Sequence, residues 1–421
     1  MSYIVESRLS IQHCVVVGLL LGAASCETGA DSGTSTPTRA DSAGRLIVTN
    51  DLSESQASCA VGPDPMVTIG AAEGAESQEL YRVFGAARLS DGRIALVNQG
   101  SQQLRIYDQS GDLVHQAGRE GGGPGEFRNA FNLWVLPGDT IWVGDYRPWR
   151  FLLFDPQGEW VRTVQAEPPY INTALTSVLD NGRFVLAARE RSSAPGSQFQ
   201  PRSLTLALHD ATGAMVDTIG SYPNGRWGRL ESDPSALTLY PLFESFTRVT
   251  TTGSLVVIGH TSKPEFMVLS VTDGIRPIQI VRWSVEDRTI TDGDIAAERE
   301  RIAAPYEDVD PDLRSRLVEP LVSDERPIAE EFPAFGHVMA GRDGRIWVSD
   351  YDRPGDDPRT QWLAFAADGA FACRALMPDV AQILEFGADY ILVEDHDELG
   401  VERILQYSLS APSSVGGDHA S

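Results

Sequence analysis

Lysine is almost absent from this 421-residue chain: Lys263 is the only one, against 59 acidic residues and a formal charge of −25. A surface that acidic repels nucleic acid and anionic lipid, which excludes both as expected partners and leaves cations, basic proteins or neutral ligands. No apolar run reaches the roughly 20 residues that a helix needs to cross a bilayer. The recognised catalytic signatures are missing too. There is no G-x-S-x-G elbow, no P-loop and no H-E-x-x-H. Gly121-Gly122-Gly123 lacks the Lys-Ser/Thr and the helix that a phosphate loop requires, and His115, His209, His260, His337 and His396 are scattered without the close pairing of a zinc site.

What is present begins with an export signal. Residues 15–24, VVVGLLLGAA, have signal-peptide length, and a polar stretch, ETGADSGTSTPTRADSAG, follows. The junction Ala23-Ala24-Ser25-Cys26 resembles the lipobox of bacterial lipoproteins, with alanine at the position where leucine is usual. The resemblance implies cleavage before Cys26, lipidation of that cysteine and a chain whose only membrane contact is its lipid anchor in the periplasm or outer membrane. The expected organisation is a signal peptide over 1–25, a tether over 26–44, a folded region over 45–410 and a disordered tail over 411–421. With Cys14 in the signal and Cys26 at the anchor, Cys59 and Cys373 remain. They form a disulfide in an exported protein, or stand as two free thiols.

The folded region repeats. Residues 84–127 read as strand, turn, strand, loop, strand, turn, strand. The first turn is Asp91-Gly92-Arg93 and the second Asp108-Gln109-Ser110-Gly111, with the period-2 segment Leu104-Arg105-Ile106-Tyr107 between them. The first turn recurs at Gly138, Gly182, Gly253, Gly344 and Gly387, each time before an apolar run (IWVGD, FVLAA, LVVIG, IWVSD, YILVED). The second recurs at Gly158, Gly213, Gly274 and Gly369, and the last unit lacks its fourth strand. Four strands every 45 residues or so is the signature of a β-propeller rather than a sandwich, because each sheet must stack on its neighbours to bury both faces. The expected fold is all-β: six four-stranded blades. The missing outer strand comes from Arg45–Thr49 or Met66–Ile69, which closes the ring and removes an open edge.

Spacing locates the extra length. First-turn glycines lie 46, 44 and 43 residues apart where the repeat is regular, but 71 from Gly182 to Gly253 and 91 from Gly253 to Gly344. The additions are residues 189–203, 221–245, 284–334 and the segment DYDRPGDDPRTQ after Ser349. With strands labelled A to D from the channel outward, all of these are B–C loops or D–A linkers, so all fall on one face of the disc. Within 284–334, Thr291 or Asp292 caps a helix through DIAAERERIA, and Asp310-Pro311 starts a second helix. The reading is a helical lid between blades four and five.

Two kinds of site are expected on that expanded face. Asn98, Asp145, Asp350 and Glu394 fall at or next to B-strand ends near the channel, where converging oxygens could hold Ca²⁺. The competing structural reading is that such residues hydrogen-bond the loop that follows. Aromatic and basic residues collect on the same face: Tyr146, Arg147, Trp149, Tyr170, Arg189, Trp227, His260 and Tyr351 form a candidate binding face for a protein, peptide or glycan. Trp142 and Trp347, inside B strands, are read as packing.

The linker GREGGGPGEF, the B strand ending VGDY and the following RFLLFDPQG together resemble the NHL-type repeat, and residues 66–410 resemble the six-bladed β-propeller lipoproteins of bacteria. That resemblance implies an exported binding or scaffold module. Some NHL-type and gluconolactonase-like propellers are metal-dependent lyases or hydrolases, so a Ca²⁺-dependent enzyme at the channel mouth is the alternative, although their metal ligands have no matching positions here.

Overall fold

The structure is a computed structural model. It describes residues 36–410 apart from 54, 56, 72–75, 147–148, 168–172, 190–197, 233–236, 358, 381 and 398. The signal segment, Cys26 and the C-terminal tail therefore lie outside the described residues. Among the described residues no helix is long and apolar enough to cross a membrane.

Six sheets follow one another along the chain, each an antiparallel meander from inside to outside. Blade one is Val83–Arg88, Ile94–Asn98, Gln103–Tyr107 and Leu113–Ala117. Blade two is Ala130–Leu136, Thr140–Asp145, Arg150–Phe154 and Trp160–Gln165. Blade three runs from Thr173–Val178 to Met215–Trp227, blade four from Thr247–Thr252 to Arg276–Trp283, and blade five from Val338–Ala340 to Phe371–Leu376. Blade six has three C-terminal strands, Gln382–Phe386, Tyr390–His396 and Glu402–Ser408. Its fourth strand is Val67–Ile69, paired antiparallel with Glu402–Ser408.

The core lies between blades. One apolar cluster joins blades one and two, others join two to three, three to four, four to five and five to six, and a sixth returns from blade six to blade one. That last cluster, with Ile69 and Tyr107 fully buried beside Leu392 and Ile404, shows the ring to be closed. The chain is a six-bladed β-propeller.

The repeated turns have a physical cause. In blades one, two and three the second turn opens on an aspartate whose Oδ1 accepts backbone N–H groups two and four residues on, as Asp108 does from Ser110 and Asp112 and Asp210 does from Thr212 and Ala214. In these three turns the glycine that follows packs on the outer strand of the preceding blade. Gly111 has φ +85°, and a Cβ there would lie 2.6 Å from the Thr68 carbonyl oxygen; Gly213 has φ +101°, and a Cβ would collide with the Gln165 carbonyl. Positive φ and blade-to-blade contact both demand glycine.

Three expectations are corrected. Arg45–Asn50 is a strand, but it does not close blade six. It pairs in parallel with the outer strand of blade four, Arg276–Trp283. The tether expected to reach residue 44 ends earlier, because Thr38–Ser42 turns back at Ala43-Gly44 (φ 55° and 77°) and pairs with Arg45–Asn50 as a sixth strand of that sheet. The length assigned to a linker over 221–245 is partly strand, since Met215–Trp227 runs on against Gln200–His209 as far as Trp227.

From blade four the N-terminal segment crosses blade five and reaches blade six as an outer belt. Buried Asn50 donates to the Arg282 and Gly369 carbonyls and accepts from Phe371 N, which locks blades four and five together. Ser58 bridges Arg374 and Val61 bridges Leu409. Cys59 and Cys373 are disulfide-bonded, with Cα atoms 5.6 Å apart. Two helical starts follow the sequence reading. Thr291 caps helix α1 (Asp292–Ala303) in a capping box with Asp294, and Asp310 caps helix α2 (Pro311–Leu317) by accepting from Asp312 N and Leu313 N.

Candidate functional site

The two faces of the disc differ in access. On the short-turn face the channel is bridged. Arg342, in the first turn of blade five, donates to the carbonyl of Val135 in the inner strand of blade two, which lies opposite in a six-membered ring. Arg342 also faces Glu385 of blade six at 3.7 Å. Glu385 accepts from Arg88 N at 3.0 Å and from the Tyr390 hydroxyl at 2.6 Å. Burial pushes the Glu385 carboxyl above its usual range, with Arg342 opposing.

On the expanded face the insertions build a structure of their own. Leu242, Phe243 and Phe332 form a small buried core with Ile290, Ile295, Ile302, Ile328 and Tyr351 packed on it. Helix α1 is tied to the blade-five loop by Arg301, which binds Asp352 at 2.5 Å and Glu298 at 2.7 Å. The lid thus rests on a packed core as well as surface charge.

Between blades four and five lies a cleft of about 400 Å³. Its walls come from both ends of the lid insertion (Glu286, Arg288, Ala334), the belt (Leu52, Ser53), the blade-five loop (Asp350, Tyr351, Arg353) and the outer strand of blade five (Arg374). The chemistry is polar. Gln361 Nε2 donates to Asp350 Oδ2 at 2.7 Å, and burial raises the Asp350 pKa. Arg353 donates to the Asp287 carbonyl and lies 4.9 Å from the Phe332 ring centre. Arg374 donates to the Leu52 carbonyl, while its Nε is buried with no acceptor. Among the described residues neither arginine has a carboxylate within ion-pair distance.

A second group lies at the inner strands of blades four and five. Arg248 donates from Nε to the Gly336 carbonyl at 2.9 Å and stands 5.9 Å from the Phe246 ring centre. His337, just before the inner strand of blade five, is crowded by protein yet exposed to solvent. Burial, and then the Arg248 charge, hold its pKa at about 4. At neutral pH its imidazole is uncharged.

The expected calcium ligands do not assemble. Asn98 is buried and spans Tyr81 N and the Glu79 carbonyl. Asp145, fully buried, accepts from Arg128 N and Asn129 N and pairs with Arg150 at 2.7 Å. Both therefore anchor backbone, but of the segment leading into their own blade and not, as expected, of the loop that follows. Asp350 lies in the cleft. Glu394 is elsewhere, grouped with His396 and Glu402. Among the described residues that trio is the only set of three His, Cys, Asp or Glu residues with ligand atoms within 4.8 Å of one another.

The expected binding face is also revised. Trp149 is 3% exposed and packs against Tyr146, Phe131 and Phe151, so it belongs to the core between blades two and three. The B–C hairpin folds the ring inward, where apolar area is removed from water. Trp142 and Trp347 are core, as expected. Trp227 is half-buried among Tyr240 and Phe246, and its Nε1 donates to the Asn224 carbonyl. His260 sits 2.7 Å from the Ser262 hydroxyl, its pKa lowered by burial and then by Lys263. Tyr351 lines the cleft, with its hydroxyl pKa raised by burial. Arg147, Tyr170 and the side chain of Arg189 lie outside the described residues.

Arg353, Arg374, Glu286 and Arg248 were not singled out from the sequence. Arg353 stood within reach of that reasoning, since it lies in the same inserted loop as Asp350. Arg374 and Arg248 had no signal, because each sits in an ordinary strand, and only packing of one blade on the next brings Arg374 to the cleft.

No protein-family model and no curated protein sequence matches the chain. Solved structures do resemble it. A Bacteroides fragilis protein assigned as exported has 13% identity over 87% of this chain and 100% of that one, with a TM-score of 0.48. A DUF4221 family member from Bacteroides vulgatus has 11% identity over 85% and 99%, with a TM-score of 0.44. The calcium-binding protein regucalcin from Agrobacterium tumefaciens has 10% identity over 82% and 97%, with a TM-score of 0.37. Likenesses this distant say nothing about ligand or reaction, and the six-bladed fold rests on the sheets and clusters described above.

Proposed function

We propose that this chain is an exported, lipid-anchored propeller that binds a ligand bearing an anionic group, held in the cleft between blades four and five. The ligand is a short peptide or an oligosaccharide segment, which suits a cavity of about 400 Å³. The observation that carries this reading is the state of the two cleft arginines. Arg374 has a buried Nε without an acceptor, and neither Arg374 nor Arg353 is paired with a carboxylate. A desolvated guanidinium is normally matched by a carboxylate or phosphate, and its planar fork selects for such groups. In a chain with a net charge of −25, guanidinium groups bonded only to carbonyls, with no ion-paired carboxylate among the described residues, favour an incoming anion beside the cavity.

Export and the lipid anchor rest on residues 15–26, and the disulfide fits an oxidising compartment. The test is a binding screen of the mature protein against acidic peptides and uronic-acid oligosaccharides, repeated with Arg353→Ala. Binding of one class, weakened tenfold or more in the variant, supports the reading. A ligand that binds equally well to both proteins refutes it, as does failure of every anionic probe while neutral counterparts bind.

A further inference from the structure

The B–C end of blade six carries a cluster that the cleft does not use. Tyr390–His396 and Glu402–Ser408 are neighbouring antiparallel strands, and His396 lies directly opposite Glu402. Glu394 is two residues back on the first strand, and in a pleated strand that places it on the same face as His396. Three side chains therefore meet on one side of the hairpin, with one ligand atom from each within 4.8 Å of the others. Asp395 alternates to the opposite face, where Arg403 holds it at 2.5 Å.

Among the described residues the trio has no arginine or lysine counter-charge. Glu394 is only 9% exposed, and its one polar partner is the Nδ1 of His396 at 3.3 Å. Glu402 accepts from Val83 N at 3.0 Å through Oε2, and among the described residues no arginine or lysine pairs with either glutamate. A carboxylate on a side chain only 12% exposed, beside a second carboxylate and with no donor outside the cluster among the described residues, is one whose desolvation a bound cation offsets.

We propose that Glu394, His396 and Glu402 form a binding site for a first-row divalent transition ion such as Zn²⁺. The donor set decides the class. Calcium and magnesium are held by oxygen ligands, whereas an imidazole nitrogen with two carboxylates suits zinc, manganese or iron. Such ions sit about 2.0–2.2 Å from each donor, so the ligand atoms must close in by about an ångström. The half-exposed His396 ring, at 44%, is able to swing inward. The Val83 N–H fixes one Glu402 oxygen and so orients the other, in the way outer-shell donors orient metal ligands. Three protein ligands at the edge of the expanded face leave one coordination position to solvent. Because Val83 begins the inner strand of blade one, the ion would also fasten blade six to blade one.

The experiment uses the mature chain purified without a histidine tag and stripped with chelator. Zinc chloride is titrated by calorimetry, and cobalt(II) is added in parallel to read its visible absorption. The expected result is one zinc per chain and a cobalt spectrum with a nitrogen ligand. His396→Ala should weaken zinc binding by at least the 10–100-fold seen when an outer-shell partner is lost, and abolish the cobalt band. Its metal-free melting temperature should be unchanged, since His396 is half-exposed. Glu394→Gln should weaken zinc in the same range. Absence of stoichiometric zinc binding, unchanged affinity in His396→Ala, or calcium binding more tightly than zinc at these residues would each overturn the assignment. None of these outcomes depends on the cleft between blades four and five.

Discussion

Replacing Asp145 tests how the ring is held together and what its buried carboxylate is for. Asp145 is fully buried at the end of the second strand of blade two. It accepts Arg128 N at 3.1 Å, Asn129 N at 2.6 Å and Arg150 Nε at 2.7 Å. Arg150, itself 8% exposed, reaches on to the carbonyls of Glu126 at 2.9 Å and Gly122 at 3.3 Å. One ion pair thus clamps the glycine-rich linker between blades one and two. Asp145→Ala would strand a buried guanidinium and two backbone N–H groups. Removing one partner of a buried pair costs about 3–5 kcal/mol, and the orphaned donors overlap with that figure instead of adding fully to it. Asp145→Asn, which keeps one acceptor, should cost less. Arg150→Met should cost about as much as Asp145→Ala, and the double variant Asp145→Ala/Arg150→Met should fall short of the sum by about 0.5–3 kcal/mol. Urea unfolding followed by tryptophan fluorescence reads these losses as midpoint shifts. The reasoning fails if Asp145→Ala loses less than about 1 kcal/mol, a loss typical of any single substitution. It also fails if calcium stabilises the wild type and that effect disappears in Asp145→Asn, because the carboxylate would then be serving a metal.

Two further outcomes are expected. Cys373→Ser opens a covalent loop of 314 residues, for which the chain-entropy relation gives a ceiling of roughly 5.7 kcal/mol and experience with native disulfides about 2–5; an unchanged urea midpoint, with and without reductant, would mean that strand pairing alone holds the belt. Burial lifts the Asp350 pKa above its ordinary 3.8, so its stabilising contribution is full only below that pH and is lost as pH rises through the folded value. Asp350→Asn, which keeps the Gln361 bond, should therefore melt higher than wild type at pH 7 and converge with it below pH 3.8, and equal melting temperatures at pH 7 would refute the assignment. If the cleft binds as proposed, that gain in stability comes with a change in affinity, the usual trade at a functional site.

The blades were legible because their cause is local. Each second turn has its own positive-φ glycine, and in blades one to three its own aspartate-to-backbone hydrogen bonds, all within five residues, so the code survives wherever the chain is read. Helices α1 and α2 were legible for the same reason: Thr291 with Asp294, and Asp310 with Pro311, satisfy helix ends from within the segment. The alternating apolar runs fixed the strands, and counting them fixed six blades.

Partnership was decided by tertiary structure. Arg45–Asn50 and Val67–Ile69 are both short strands with apolar residues, and nothing within either segment says which neighbour it pairs with. The belt's course and the disulfide at Cys59 place the second at blade six and leave the first to extend blade four. Asp145 and Asp350 look alike in sequence, each ending a B-strand motif and followed by tyrosine. One is sealed by Arg150 and two backbone N–H groups, and the other opens on a cleft with Arg353 and Arg374 nearby. Trp149, expected on the binding face, is instead core for the same reason, and Arg374 reaches the cleft without any sequence signal. A side chain's direction along a strand is local, but whether it meets a neighbouring blade, the channel or water is set by sheets that lie far apart in the chain.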